Sequence, residues 1–147
     1  SHGQVVYENP SPGNKMGGIT TLEDKSLGCV QKGGRAPVSG VLKYGDRVKK
    51  SGMNLLTGPG NDIVSTTVQS AAGAHMILFT TGRGTPLGAP VPTVKIATNT
   101  ALSEEDSDKV LNDFIALLQR IASGEVKTKN EENGYTEISI LKDGVVL

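Results

Sequence analysis

From Glu8 to Lys25 the sequence gathers carboxylate, amide, hydroxyl and ammonium groups in one irregular stretch: Glu8, Asn9, Asn14, Lys15, Thr20, Thr21, Glu23 and Lys25. Side chains of these types can withdraw a proton, neutralise a developing negative charge or ligate a hard cation. Pro10, Pro12, Gly13, Gly17 and Gly18 hold the stretch open before any helix can start. Thr20 with Glu23 three residues later reads as a capping box and predicts a helix beginning there. A loop that brings such groups to a helix N-terminus suits an anionic ligand. A surface loop ahead of a well-capped helix accounts for the same residues, and the cap alone explains Glu23.

A second group lies in Thr80-Thr81-Gly82-Arg83-Gly84, which offers two hydroxyls, backbone amides and one guanidinium. Arg83 is the sole arginine between residues 51 and 100. Its planar fork can donate two parallel hydrogen bonds to a carboxylate, although a surface ion pair is the plainer alternative. Asn99 leaves a later apolar run and has access to the same region. Asn61 and Asp62 are explained by capping the helix that follows them. Lys95, near the start of its apolar strand, is read as structural or at the opposite rim, and His75 as structural. No HExxH, Walker loop, GxGxxG or nucleophile elbow occurs.

The elements that must hold these groups alternate. A first helix over Thr21–Lys32 stops at Gly33-Gly34, and Val38–Tyr44 reads as a strand closed by a Gly45-Asp46 turn. MNLL at Met53–Leu56 leads through Thr57–Gly60 to a helix ending near Ala72, with Val64, Val68, Ala71 and Ala72 as its apolar stripe. His75–Thr80 is a continuous apolar run of the kind buried in parallel sheets, and Val94–Ala97 is another strand. A long helix over Glu104–Ser123 carries Val110, Phe114, Leu117, Leu118 and Ile121 on one face. Lys127–Asn133 reads as polar loop, and Glu137–Leu141 as a β-prone tail. This order predicts an α/β fold, a mostly parallel sheet with flanking helices and a Rossmann-like variant. In such a sheet, ligands bind beyond the carboxyl ends of the strands, which selects the loops 57–62, 80–92 and 98–101 as one rim.

The 147 residues make one domain on length, and their formal net charge of zero gives no reason to expect nucleic acid or an anionic membrane as partner. Residues 1–50 are net basic, 51–100 nearly uncharged and 101–147 net acidic, so the quiet middle third should supply the buried sheet. The single cysteine, Cys29, excludes an internal disulfide and an iron–sulfur cluster held by several thiolates, and is expected to be a small buried residue of the first helix. No apolar run reaches membrane-spanning length and no secretory leader is visible, so a cytoplasmic protein is expected.

Five ordered blocks carry a resemblance. NPSPGNK (Asn9–Lys15), GGITTLEDKSLGC (Gly17–Cys29), NLLTGPGND (Asn54–Asp62), FTTGRGTPLG (Phe79–Gly88) and VPTVKIATN (Val91–Asn99) closely resemble the signature of the altronate and galactarate dehydratases, hydro-lyases of sugar acids. The altronate branch is the more similar. The resemblance runs nearly end to end but corresponds to the C-terminal part of such enzymes. It implies dehydration of an aldonic or aldaric acid to a 2-keto-3-deoxy acid, assisted by a divalent metal, Fe(II) or a similar ion. It further implies Glu8, Asn9, Asn14 and Glu23 as oxygen donors, with Glu8 and Asn9 foremost for the metal. Lys15 or Lys25 would be base or electrostatic partner, with Glu23 beside them in catalysis. Asn14, Thr80, Thr81, Arg83 and Asn99 would bind the substrate. The expected partners are the sugar acid, the N-terminal remainder of the enzyme and a second copy in a homodimer. A short segment resembling W-I-D-F-x-A-G usually follows the last block in the family; here Asn99 passes almost directly into the acidic helix start, without that segment.

Overall fold

The computed structural model describes residues 9–81, 85–97 and 107–140. Their order is α1 (Pro12–Met16), α2 (Leu22–Lys32), β1 (Val38–Leu42), β2 (Met53–Leu56), α3 (Asp62–Ala72), β3 (Ile77–Thr81), β4 (Thr93–Ala97), α4 (Ser107–Ala122) and α5 (Lys129–Glu132). The α/β alternation is therefore present, and both strand pairings are parallel: β1 with β2, and β3 with β4. They form two separate two-stranded sheets. Element order constrains strand direction more tightly than it constrains neighbours, and β2 and β3, which flank α3, are not partners.

Helix α3 is the centre of the packing. Asn61 caps it through its side-chain oxygen, which accepts from the Val64 N–H at 3.3 Å, and Gly73 ends it with φ of 113°. Val64, Val68 and Ala72 are buried as the stripe predicts, joined by Ile77, Leu87, Ala89 and Ile121; Ala71 faces out. Thr66 and Thr67 are buried too. Their hydroxyls donate to the carbonyls of Asp62 and Ile63, at 2.9 and 2.7 Å, so the burial leaves no polar group unpaired. The connector after β1 turns at Lys43–Asp46, where Asp46 Oδ2 accepts from the Lys43 N–H, and then returns so that the Val48 N–H bonds the Ala72 carbonyl.

The C-terminal third departs from expectation. The polar run 127–133 contains helix α5, built on a capping box in which Thr128 and Glu131 satisfy each other's end of the first turn. The tail at 137–140 is not a strand but is strung along the molecule by the Glu137 N–H to Gly88 carbonyl bond (2.7 Å) and the Ser139 N–H to Thr67 Oγ1 bond (3.1 Å). Helix α4 turns Ile121 into the core, Val110, Phe114 and Leu118 are half-covered, and Leu117 is exposed. The residues expected to start that helix, 104–106, lie outside the described ones.

Asn130 joins these pieces. Its Oδ1 accepts from the Thr93 N–H at 3.0 Å, and its Nδ2 donates toward the carbonyls of Ala89, Val91 and Tyr135 at 3.3–3.4 Å. A side chain that is 7% exposed and fully partnered fixes the entry to β4 against α5. Gly88 is required there, because a Cβ would run into the Tyr135 carbonyl. Among the described residues no helix is long and apolar enough to cross a membrane.

Candidate functional site

Local chemistry folds the Asn9–Lys25 stretch on itself. Ser11 caps α1: its Oγ accepts from the Asn14 N–H at 3.4 Å and from Asn14 Nδ2 at 2.8 Å. The chain reverses at Gly17-Gly18, where Gly18 has φ of 95° and the Ile19 N–H bonds the Asn14 carbonyl. Helix α2 then starts one residue later than the Thr20–Glu23 box predicts. The cap is Thr21, whose Oγ1 accepts from the Asp24 N–H at 3.1 Å. That correction frees Glu23 of the capping role. One turn into α2, Lys25 Nζ donates to Asn9 Oδ1 at 2.7 Å and closes the stretch from end to end.

The electrostatics follow. Glu23 and Asp24 occupy the first turn of α2, the end that favours negative charge, and Lys25 stands just beyond them. Among the described residues, the Lys15 ammonium and the Glu23 carboxylate have no hydrogen-bond or ion-pair partner. Asn9 Oδ1, proposed above for a metal, faces an ammonium, so a cation at that oxygen must displace Lys25. No three His, Cys, Asp or Glu side chains gather to hold a metal among the described residues. The donors described do not by themselves fit an iron site. Glu8 lies outside them, as do Arg83 and Asn99.

The second group sits where β3 meets α3. Thr80 borders a cleft of about 210 Å³ with Asp62, Ser65, Thr66 and Gln69. Beside it, a cleft of about 310 Å³ is lined by Asn61, Asp62, Thr85, Leu87 and Glu137. Thr81 ends β3 opposite Ala97 in β4, so the parallel register directs both chains out of the same end of the sheet. Asp62 borders both clefts because Asn61 alone makes the cap. The sequence reading gave Asp62 only the cap and gave Glu137 to a strand; the NLLTGPGND block signals the first, and nothing local signals the second. No hydrogen bond or ion pair among the described residues joins Lys15, Glu23 or Lys25 to Thr80.

One expectation near the site needs correction. Cys29 is exposed, not buried, because α2 buries none of its residues. Glu131, in α5 and away from both groups, has a perturbed carboxyl: the Thr128 hydroxyl and N–H hold it below the usual range.

Residues 1–146 match the family described as D-galactarate/Altronate dehydratase, C-terminal. The chain is 52% identical over 163 residues to an altronate dehydratase of Escherichia coli (strain K12), covering 100% of this chain and 33% of that protein. It is 51% identical to an altronate dehydratase of Bacillus subtilis (strain 168), covering 99% and 33%. Identity is 36% to galactarate dehydratase (L-threo-forming) of Escherichia coli (strain K12), over 86% of this chain and 28% of that one. The chain thus spans about a third of the length of the curated relatives it matches.

Proposed function

The chain belongs to the D-galactarate/altronate dehydratase family through its C-terminal unit, and we propose that it forms the carboxy-terminal part of a hydro-lyase acting on a sugar acid such as altronate. The identity of 52% and 51% with two altronate dehydratases, across essentially the whole chain, carries this reading. In the proposed reaction a base takes the proton at C2, next to the carboxylate. The C3 hydroxyl leaves with a proton as water, and the resulting enol becomes the 2-keto-3-deoxy acid. The costly species is the enediolate, which concentrates negative charge beside an existing carboxylate and needs fixed positive charge to form.

Lys25, held by Asn9, is suited to be that counter-charge, since an anchored ammonium need not reorganise as charge develops. Lys15 is then the base, with Glu23 relaying its proton. Arg83 takes the substrate carboxylate, and Asn14, Thr80, Thr81 and Asn99 take its hydroxyls. Glu8 remains a proposed donor to a divalent ion, Fe(II) by family resemblance, with further donors from the rest of the enzyme; Asn9 is given to Lys25 instead, and no step is routed through the ion. The reading extends to a cytoplasmic enzyme with a Rossmann-like C-terminal fold.

A second reading, a sugar-acid-binding or assembly domain without turnover of its own, is favoured by one observation. Helices α1 and α2 carry the proposed machinery yet bury no residue. The test separates the two. Purified chain is mixed with altronate and Fe(II) under reducing conditions, alone and with the N-terminal remainder of the enzyme, and 2-keto acid is assayed. Turnover only in the mixture supports a catalytic part that needs its complement. Altronate binding without turnover in either case leaves the assembly reading, and neither binding nor turnover removes both.

A further inference from the structure

Between the first half of β4, the C-terminal half of α4 and the segment entering α5 lies a cleft of about 500 Å³. That is a small-molecule size, within the range of about 300–1,000 Å³. Its floor is apolar, made by Val94, Leu117, Ile121 and Val126. Three lysines line it from separate parts of the chain: Lys95 in β4, Lys127 in the connector and Lys129 in α5. None of the three has a hydrogen-bond or ion-pair partner among the described residues. Glu131, close enough to feel Lys127, is already engaged by the hydroxyl and N–H of Thr128.

We propose that this cleft is a second ligand site, taking a small organic anion with an apolar body. Three lysines border one opening beside an apolar floor and none is held by a hydrogen bond or ion pair among the described residues, so an anion there can draw on their charge without breaking an existing contact. The floor selects the rest of the ligand. A polyhydroxylated sugar acid would have to strip water from hydroxyls that find no partner on Val94, Leu117 or Ile121, whereas a hydrocarbon or aromatic body gains by burial there. The site is also displaced from the rim. It borders Thr93–Lys95 in the first half of β4, while Thr81 pairs with Ala97 at the other end, about 13 Å from Thr93 and about 7 Å from Lys95 along the strand at about 3.3 Å per residue.

Octanoate is the probe, titrated calorimetrically into the intact chain. One saturable site is expected. Octanol, with the same body and no charge, should bind at least tenfold more weakly. The exposed pair Lys127→Ala/Lys129→Ala should lose at least tenfold, as should Leu117→Asp, whereas Lys43→Ala/Lys49→Ala on the β1–β2 connector should match the parent. Raised salt should weaken binding, and altronate should not displace the probe. Equal affinity for octanol, parental affinity in the Lys127/Lys129 variant, or no saturation would overturn the proposal. Displacement by altronate would do so too, by assigning the cleft to the sugar-acid site.

Discussion

The Lys25 ammonium donates a 2.7 Å hydrogen bond to Asn9 Oδ1, across sixteen residues of sequence, and so ties the start of the Asn9–Lys25 stretch to the helix that ends it. The bond is solvent-exposed, which limits its worth to stability to about 0.5–1.5 kcal/mol. Its importance is positional. In the complete enzyme, Lys25→Met should lower kcat by about 10²–10⁴, the range for a group acting directly in proton transfer or charge stabilisation. Asn9→Ala, which leaves the ammonium but not its anchor, should cost less, and the double variant should cost no more than Lys25→Met alone. Steady-state kinetics of the three variants checks this; equal losses in both single variants would make Lys25 a loop anchor only.

Arg83→Ala should lower kcat/KM about ten- to hundredfold with the fold intact, because about 1.5–3 kcal/mol of charge-assisted hydrogen bonding to the substrate carboxylate is lost. Arg83→Lys keeps the charge without the planar fork and should fall between the two. A surface ion pair predicts unchanged turnover in both.

Asn130 gives a stability prediction independent of any activity. Asn130→Ala leaves the buried Thr93 N–H without its acceptor and should cost about 1–3 kcal/mol in urea unfolding. Asn130→Asp restores that acceptor but sets a carboxylate oxygen against the carbonyls of Ala89, Val91 and Tyr135. It should therefore be no better than Ala near neutral pH and should recover as pH falls and the carboxyl protonates.

Glu131 supplies the pH dependence. Its carboxyl is lowered in the folded chain from an ordinary value of 4.5, first by the Thr128 hydroxyl, then by the Thr128 N–H. A folded pKa below the unfolded one means that the contribution is complete above about 4.5. It is lost as pH falls through the lower folded value. Glu131→Gln should remove that slope. Urea midpoints of parent and variant measured from about pH 7 to about pH 3 should converge at the acid end.

The sequence disclosed most where the physics is local. Apolar periodicity placed α3 and β3, and Gly73 marked a helix end, because both signals depend on neighbouring residues alone. The capping box at Thr20–Glu23 missed by one residue, since adjacent threonines offer two equivalent hydroxyls and only the chain reversal at Gly18 decides between them. The box at Thr128–Glu131 was equally present in the sequence but hidden in a polar run without apolar periodicity. Asn130, Glu137 and the division into two sheets depend on contacts tens of residues apart, such as Asn130 with Ala89, and no spacing rule encodes them.

Helix α2 holds eleven residues, buries none and leaves Leu27 and Val30 57% and 72% exposed. At that length an isolated helix is marginal in water, and Gly28 at its middle lowers it further. A partner covering Leu27 and Val30 contributes its binding free energy to the folding of α2, and Lys25 comes into register in proportion to partner occupancy. In the proposed hydro-lyase this makes the position of Lys25 depend on contact between α2 and the remainder of the enzyme, a contact that can be lost while the core around α3 stays folded. Amide exchange should report the difference, fast in α2 of the free chain, slow in α3, and slow in both once the remainder of the enzyme is bound.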